Sequence, residues 1–343
     1  MHALTPPETV LVLGAGSWGA TLADLLVRKG SASRIWCHTE EDAQRFDRDR
    51  NLPGKLEGFT LSDKIQVGHE LSPLLEGATT LLFAVPSRYM RSTARLVAAA
   101  AGPERVRRLR VVSASKGFER DTLKRMTEVL SEELGTPFPT ALSGPTHAEE
   151  VSAGLPTTVV AAAQDSGTAE SVQALFMTPR FRVYTSRDVL GVELGGALKN
   201  VVAIAAGAAI GMGFGDNTLA ALVTRGLAEI SRLGAAMGAE PATFSGLSGL
   251  GDLVVTCASR HSRNRRLGMA LAKGARLEEA LDQIGMEVEG VEMARSVKAL
   301  AAKYGVEMPI SAQVAETLFE GVPVQEAVTA LMLRDPKPES HPL

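Results

Sequence analysis

The sequence predicts a chain in two parts, an α/β half built on a doubly wound parallel sheet and then an all-α half. Over the first half, short apolar runs (TVLVLG, RIWC, IQVG, TLLFAV, LRVVSAS and TALSG) alternate with helical patterns, as parallel strands covered on both faces do. From Val189 onward the stretches GVELGGALKNVVAIAAGAAIGMG and NTLAALVTRGLAEISRLGAAMG are long, alanine-rich and free of β-branched alternation, which reads as helix. The 343 residues also exceed what one hydrophobic core usually serves. We therefore expect an α/β domain over 1–188, a helical domain over 189–335, and a tail over 336–343 whose proline and charge predict a frayed end.

Two further apolar stretches, TTVVAAA and RFRVYTS, extend the expected sheet to about residue 185. In the helical half, Leu219, Leu222, Val223, Leu227 and Ile230 recur at spacings of three and four and define one apolar face. Asp216 or Asn217 is expected to cap that helix and Gly238 to end it. EEALDQIG, EMARSVKALAAKYG, SAQVAETLFEG and VQEAVTALML continue the helical theme with glycine stops.

Composition narrows the function. Hydrophobic residues make up 45% and charged residues 22%, with a net charge of -3, too balanced for a generic polyanion binder, so no nucleic acid partner is expected. The start MHALTPPETV lacks a basic region followed by an apolar core, and no membrane span is read from the sequence. Cys37 and Cys257 stand far apart without CxxC spacing, which predicts no metal site and a reducing, cytoplasmic setting.

TVLVLGAGSWGATLADLL places Gly14, Gly16 and Gly19 in a GxGxxG pattern between a strand and a helix. That is the dinucleotide-binding context of a Rossmann-like domain: a tight turn at the first glycine, backbone approach to the pyrophosphate at the second, close helix packing at the third. The second strand ends at IWCHTEED, where an acid ordinarily meets the adenine ribose of NAD, but the end position here is His38. Arg45, Arg48 or Arg50 would suit the extra phosphate of NADP, and Glu40 or Glu41 would serve the ribose, so NAD and NADP both stay open.

Two lysines stand out by context. Lys116, in VVSASKGFE, follows the carboxyl end of a strand, where open parallel sheets bind ligands. Lys199, in LGGALKNVVAIAAG, is the one cation in a long run of small and apolar residues. Burial lowers a lysine pKa and makes it a usable proton donor near neutrality; a snorkelling lysine gives the same local pattern. TALSGPTHAEE supplies Ser143, Gly144 and Thr146 at a strand end and His147 at a helix start. Nothing in the sequence pairs His147 with a catalytic partner, so a helix-surface role is expected. SRHSRNRRLG gathers Ser262, Arg263, Asn264, Arg265 and Arg266 at a helix start, an arginine fork suited to phosphate.

These segments together resemble the bacterial NAD(P)-dependent glycerol-3-phosphate dehydrogenases. The resemblance is carried by GAGSWG at 14–19, ASKGFE at 114–119, LSGPTHAEE at 142–150, GVELGGALKNVVAIAAG at 191–207, TRGLAEISRLGAAMGA at 224–239, GLGDLVVTC at 249–257 and SRNRR at 262–266. It implies a helical domain like the carboxy-terminal part of 6-phosphogluconate dehydrogenase, and interconversion of dihydroxyacetone phosphate and sn-glycerol 3-phosphate for phospholipid synthesis. NADP or NAD would be bound by Gly14, Gly16, Ser17, Trp18, Gly19, His38, Lys116, Ala148, Arg263 and Glu289. Substrate would meet Lys116, Gly144, Thr146, Lys199, Asp252, Ser262, Arg263 and Asn264, with Lys199 transferring the proton and Lys116 polarising the carbonyl. Apart from the resemblance, the apolar helical half leads to the expectation of a homodimer, against the alternative that such a face is core. The chain departs from the family's pattern at Glu287, where an apolar residue is more usual, and at His147. A ketopantoate-type reductase and a non-catalytic NAD(P)H sensor are the competing readings. The arginine cluster speaks against the first and the two lysines against the second.

Overall fold

The computed structural model describes residues 8–336, 338 and 339. Positions 337 and 340–343 of the expected tail lie outside the described residues. The chain divides into two compact units, one running to Ser115 and resuming over Lys124–Val189, the other made of Lys116–Leu123 and the chain from Leu190 onward.

Among the described residues of the first unit, eight strands form one sheet: β1 (Thr9–Leu13), β2 (Ala32–Trp36), β3 (Gln66–Gly68), β4 (Thr80–Phe83), β5 (Arg110–Ser113), β6 (Thr140–Ser143), β7 (Thr157–Ala162) and β8 (Phe181–Ser186). Their order is β3-β2-β1-β4-β5-β6-β7-β8, so the order reverses at β1 and β4, the switch point where such sheets bind ligands. β1 shows why both faces are covered. Val10 and Val12 enter one cluster with Ala20, Leu22 and Leu26, whereas Leu11 and Leu13 enter another with Met90, Val97 and Leu130. Alternate residues point to opposite faces, so an unbroken apolar strand buries both.

The sheet is not parallel throughout, as the sequence reading had it: β7 runs antiparallel to β6, while β8 is parallel to β7. The helix joining β6 to β7 is Ala148–Ser152, five residues long. At about 1.5 Å per residue it cannot carry the chain back along a strand that advances at about 3.3 Å per residue, so the chain turns and pairs in reverse.

Helix α1 (Ser17–Lys29) follows β1 and ends on Gly30, whose φ of 104° closes it with bonds to Leu26 and Val27 carbonyls. Helix α2 (Glu40–Asp49) follows β2 and is capped by Thr39, which accepts from the Asp42 amide.

The second unit is helical. Its central element is α3 (Val189–Gly211), a helix apolar nearly all round and therefore interior. It is long and apolar enough to cross a membrane, yet 89% of its apolar 18-residue stretch is buried within the protein. Against it lie α4 (Asp216–Met237), α5 (Asp252–Ala258), α6 (Arg263–Ala272) and α7 (Glu289–Tyr304), and α8 (Pro309–Phe319) packs on α4 and α7. Gly215, not Asp216 or Asn217, caps α4; Asp216 is already helical, where its charge favours the helix dipole. Gly238 ends the helix at φ 95° as expected. On the expected apolar face of α4, Ile230 is buried, whereas Leu219, Leu222, Val223 and Leu227 are half-buried. Its buried Glu229 accepts from the amides of Ile310 and Ser311, at 2.6 and 3.2 Å, and so caps α8. Beyond the helices, Arg225 donates to the Glu339 carbonyl at 3.4 Å.

Glycines set how closely α3 meets α6. A Cβ on Gly207 would overlap the Arg265 carbonyl, and one on Gly268 would overlap the Ile204 carbonyl. The backbones touch there, and this contact fixes where the start of α6 sits along α3. Overpacking of a tight contact costs about 1–3 kcal/mol, so Gly207→Ala and Gly268→Ala are each expected to lose that much in urea unfolding. Unchanged stability in both would show that α6 shifts freely.

Candidate functional site

In the first unit the three glycines differ in what they permit. Gly14 has φ +118°, and a Cβ there would stand 2.7 Å from the Ala84 carbonyl oxygen. A Cβ on Gly19 would overlap the carbonyl of Gly14, which pins α1 against the turn. Gly16 is the N-cap of α1, with no capping side chain and no acid in the first turn, and a Cβ on it would meet nothing within 4 Å. That is an open cradle floored by helix amides, and it fits the pyrophosphate of a dinucleotide. Ser17 anchors the rim by donating to the Lys55 carbonyl at 2.9 Å, and Trp18 packs half-buried on the core.

His38 is exposed two residues beyond Trp36, their rings edge to face with centroids 5.8 Å apart. Of the cations downstream, Arg45 pairs with Asp42 at 2.5 Å, Arg48 with Asp49 at 2.7 Å, and Arg50 with Asp47 and the Ile65 carbonyl. Each is already engaged by its own loop or helix. At the end of β6, Gly144 has φ +137°, Thr146 Oγ1 donates to the Gly144 carbonyl at 3.1 Å, and Ala148 opens the short helix. His147 is the half-buried N-cap residue of that helix and makes no side-chain cap.

Lys116 differs from the sequence reading in the unit to which it belongs. It follows the end of β5, as expected, but residues 116–123 group with the helical unit and not with the first domain. Phe118 is buried in that unit's core, and Arg120 makes a two-point pair with Glu292 at 2.9 and 2.8 Å. These anchors bring Lys116 to Asp252.

The centre of the second unit is one carboxylate between two ammonium groups. Asp252 is fully buried; Oδ2 accepts from Lys116 Nζ at 2.5 Å and Oδ1 accepts from Lys199 Nζ. Lys199 Nζ also donates to Thr256 Oγ1 at 2.7 Å, and that hydroxyl donates to the Asp252 carbonyl at 2.6 Å. A π-helical turn, Leu247–Gly251, leads into Asp252. A Cβ on Gly195 would lie 2.5 Å from the Ser248 carbonyl oxygen of that turn. Gly195 and Lys199 are four residues apart and share a face of α3, so the close approach at Gly195 sets the depth at which Lys199 meets Asp252.

Burial is the largest influence on Lys199 and pushes its pKa down, to about 8. Asp252 opposes the fall, the Lys116 charge adds to it, and Glu289 opposes it weakly. The result is an ammonium that can give up its proton near neutrality, beside a second cation able to hold a developing negative charge.

Around this centre, Ser262 caps α6 by accepting from the Arg265 amide at 3.2 Å, which leaves Arg263 and Asn264 in the first turn. First-turn amides have no partner inside their helix and receive anions well. Arg263 Nη1 donates to the Glu287 backbone carbonyl at 2.6 Å. That contact uses the backbone at 287, so it does not depend on which side chain stands there. Asn200 Nδ2 donates to Glu289 Oε2 at 3.2 Å, and its Oδ1 accepts from Asn264 Nδ2 at 2.9 Å.

The structure thus brings Lys116, Lys199 and Asp252 together, and joins Glu289 to Asn264 through Asn200. It places Gly14, Gly16, Ser17, Trp18, Gly19, His38, Gly144, Thr146 and Ala148 in the other unit. Sequence reasoning missed Asn200 and Thr256. Asn200 was visible as a polar residue beside Lys199 in an apolar helix, and Thr256 as a hydroxyl four residues after Asp252, one helical turn away.

Residues 9–169 match the family model of the NAD-dependent glycerol-3-phosphate dehydrogenase N-terminus, and residues 188–329 that of the C-terminus. The chain is 49% identical to glycerol-3-phosphate dehydrogenase [NAD(P)+] of Moorella thermoacetica, covering 97% of both chains. It is 47% identical to the enzyme so named from Chlorobium phaeobacteroides, covering 96% of this chain and 98% of that one. The crystal structure of glycerol-3-phosphate dehydrogenase from Coxiella burnetii superposes with a TM-score of 0.91 at 36% identity, covering 96% of this chain and 99% of the other. A ketopantoate reductase from Ralstonia eutropha, 15% identical with a TM-score of 0.59 over 94% of this chain and 100% of that one, shares the fold alone.

Removing the shared carboxylate leaves two ammonium groups facing each other, that of Lys199 buried and that of Lys116 partly so. Breaking a buried pair costs about 3–5 kcal/mol, so Asp252→Asn is expected to lose about that much stability at pH 7. The folded variant would then bind fewer protons than its unfolded chain, whose lysines titrate normally, so its deficit should shrink as pH rises from 7 to 10. Urea unfolding across that range checks it; a deficit that stays constant or grows contradicts the charge account.

Proposed function

The chain belongs to the NAD-dependent glycerol-3-phosphate dehydrogenase family, and we propose that it interconverts dihydroxyacetone phosphate and sn-glycerol 3-phosphate, supplying the glycerol backbone of phospholipids. The observation that carries this reading is the pairing of Lys199 and Lys116 on the buried Asp252, in the unit that also offers Ser262, Arg263 and Asn264 at a helix start.

NAD(P)H supplies the hydride, and the open turn at Gly14, Gly16 and Gly19 fits its pyrophosphate. Ser17, Trp18, His38, Ala148, Arg263 and Glu289 complete its contacts. Lys199 gives its proton to the ketone oxygen as negative charge grows there, and takes it back in the oxidative direction. Lys116 holds the same oxygen and the neighbouring hydroxyl. Asp252 keeps both ammonium groups in place and opposes the loss of the Lys199 proton. Arg263, Asn264 and Ser262 hold the phosphate, so binding energy far from the reacting carbon orients it. Gly144 and Thr146 contribute backbone and hydroxyl to the substrate. A ketopantoate-type carboxylate would leave this phosphate grip without a use. A sensor that only binds NAD(P)H would need neither lysine.

We further infer a homodimer in the cytoplasm. The dimer is supported by an apolar cleft of about 1170 Å³ in the helical unit, lined by Leu222, Ile310 and Met332 among others. Arg225, Arg232, Glu307 and Arg334 also line it, charges of both signs that a second copy can match. The two buried thiols, unpaired with each other, suit a reducing compartment. Light scattering on the purified chain tests the dimer, and a monomer at micromolar concentration overturns it.

Purified protein with dihydroxyacetone phosphate should oxidise NADPH or NADH and leave unphosphorylated dihydroxyacetone nearly untouched. Lys199→Ala should lower kcat by about 10²- to 10⁴-fold, the usual worth of a positioned general acid, while Arg263→Ala should chiefly raise the KM of the phosphorylated ketone. Tight NAD(P)H binding without turnover would sink the assignment. For ketone reduction, which needs protonated Lys199, kcat/KM should fall tenfold per pH unit above about 8. For alcohol oxidation, which needs the neutral amine, it should rise towards that pH. Profiles of the same sign in both directions would contradict the role of Lys199.

A further inference from the structure

Asn200 follows the proton-transfer lysine on α3 and is 3% exposed. Its two hydrogen bonds belong to a longer chain, because Asn264 Oδ1 in turn accepts from the Gly290 amide at 2.9 Å. The direction of every bond is fixed by the ends. The Gly290 N–H can only donate, so Asn264 must turn its oxygen there and its nitrogen to Asn200. Asn200 must then receive with its oxygen and donate from its nitrogen, and the Glu289 carboxylate at the far end accepts. Glu289 and Gly290 are neighbours at the start of α7, so the chain closes on itself. No side chain fits inside: a Cβ on Gly290 would lie 2.5 Å from Asn264 Oδ1 and 2.8 Å from the Asn200 carbonyl oxygen.

We propose that Asn200 is a positioning residue that couples Glu289 to Asn264, so that the dinucleotide and the phosphorylated substrate bind interdependently. The proposal rests on the functional reading above, in which Glu289 meets the cofactor and Asn264 the phosphate. With its oxygen and one N–H taken, the Asn264 amide has a single N–H left for phosphate, aimed by the other two bonds. A phosphate bound to that N–H holds the Asn264 amide in place, and through it Asn200 and Glu289, so the dinucleotide then meets a carboxylate already ordered. Coupling of this kind is reciprocal, so each ligand tightens the other by one common factor.

The test uses the full chain and a pair of ligands that cannot react, NADPH and sn-glycerol 3-phosphate, with nucleotide fluorescence reporting the NADPH Kd. In the wild type, saturating sn-glycerol 3-phosphate should tighten NADPH about tenfold, within the usual span of such couplings. Asn200→Asp keeps the shape but sets a carboxylate against Glu289, with Lys199, Lys116, Asp252 and Arg263 as the other charges around it. At pH 8 the factor should fall to within about twofold of unity. At pH 5.5 it should partly return, because a proton shared by the two carboxylates restores the donor. Asn200→Ser should lose the factor at both pH values, and it decides the matter alone if the aspartate variant does not fold. A residue that merely packs would lower Tm and scale both affinities equally, leaving the factor unchanged, and that result overturns the proposal. So does a wild type that binds both ligands independently. A wild type that does not bind sn-glycerol 3-phosphate at all overturns the functional reading itself and this coupling with it.

Discussion

A fully buried carboxylate shared by two ammonium groups is the interaction around which the helical unit is arranged. Alone, Asp252 would be too costly to bury, as would Lys199; together with Lys116 they form a triad with one net positive charge. The imbalance is useful. Two cations on one carboxylate leave charge to spare for an incoming anion, and burial weakens the hold of Lys199 on its proton while Asp252 keeps it from being lost altogether. A single lysine–aspartate pair would be closer to neutral and a poorer attractor of a phosphorylated ketone.

Such a triad is tolerable only where geometry is fixed, and the fixing is done by absent side chains. Gly195 lets the π-helical turn before Asp252 lie on α3, while Gly207 and Gly268 let α6 lie on it two to three turns later. The helix that bears Lys199 therefore also sets the places of its carboxylate partner and of Ser262, Arg263 and Asn264. An apolar helix that could be taken for a membrane span is instead an interior ruler for polar groups.

The parts legible in the sequence were those governed by local rules. Alternating strands and helices, the glycine turn after β1, and the change of character near Val189 follow from periodicity and backbone freedom, which a few adjacent residues determine. Lys199 was legible because one cation in an apolar run is conspicuous. What was hidden depended on distant residues. The reversal at β7 comes from the shortness of the Ala148–Ser152 helix. The transfer of Lys116 to the helical unit depends on where Phe118 and Glu292 lie in space. Asn200 and Thr256 drew no attention because each looks ordinary until its partners, 89 and 57 residues away, are in place.

The central claim is that Lys199, buried against Asp252 and pressed by Lys116, holds its proton weakly enough to transfer it near neutrality. The most direct measurement is the titration of its side-chain amine in the ligand-free protein by NMR with labelled lysine, assigned through Lys199→Arg. The account predicts a midpoint of about 8 for Lys199. A midpoint at the ordinary lysine value of 10.5 would contradict it.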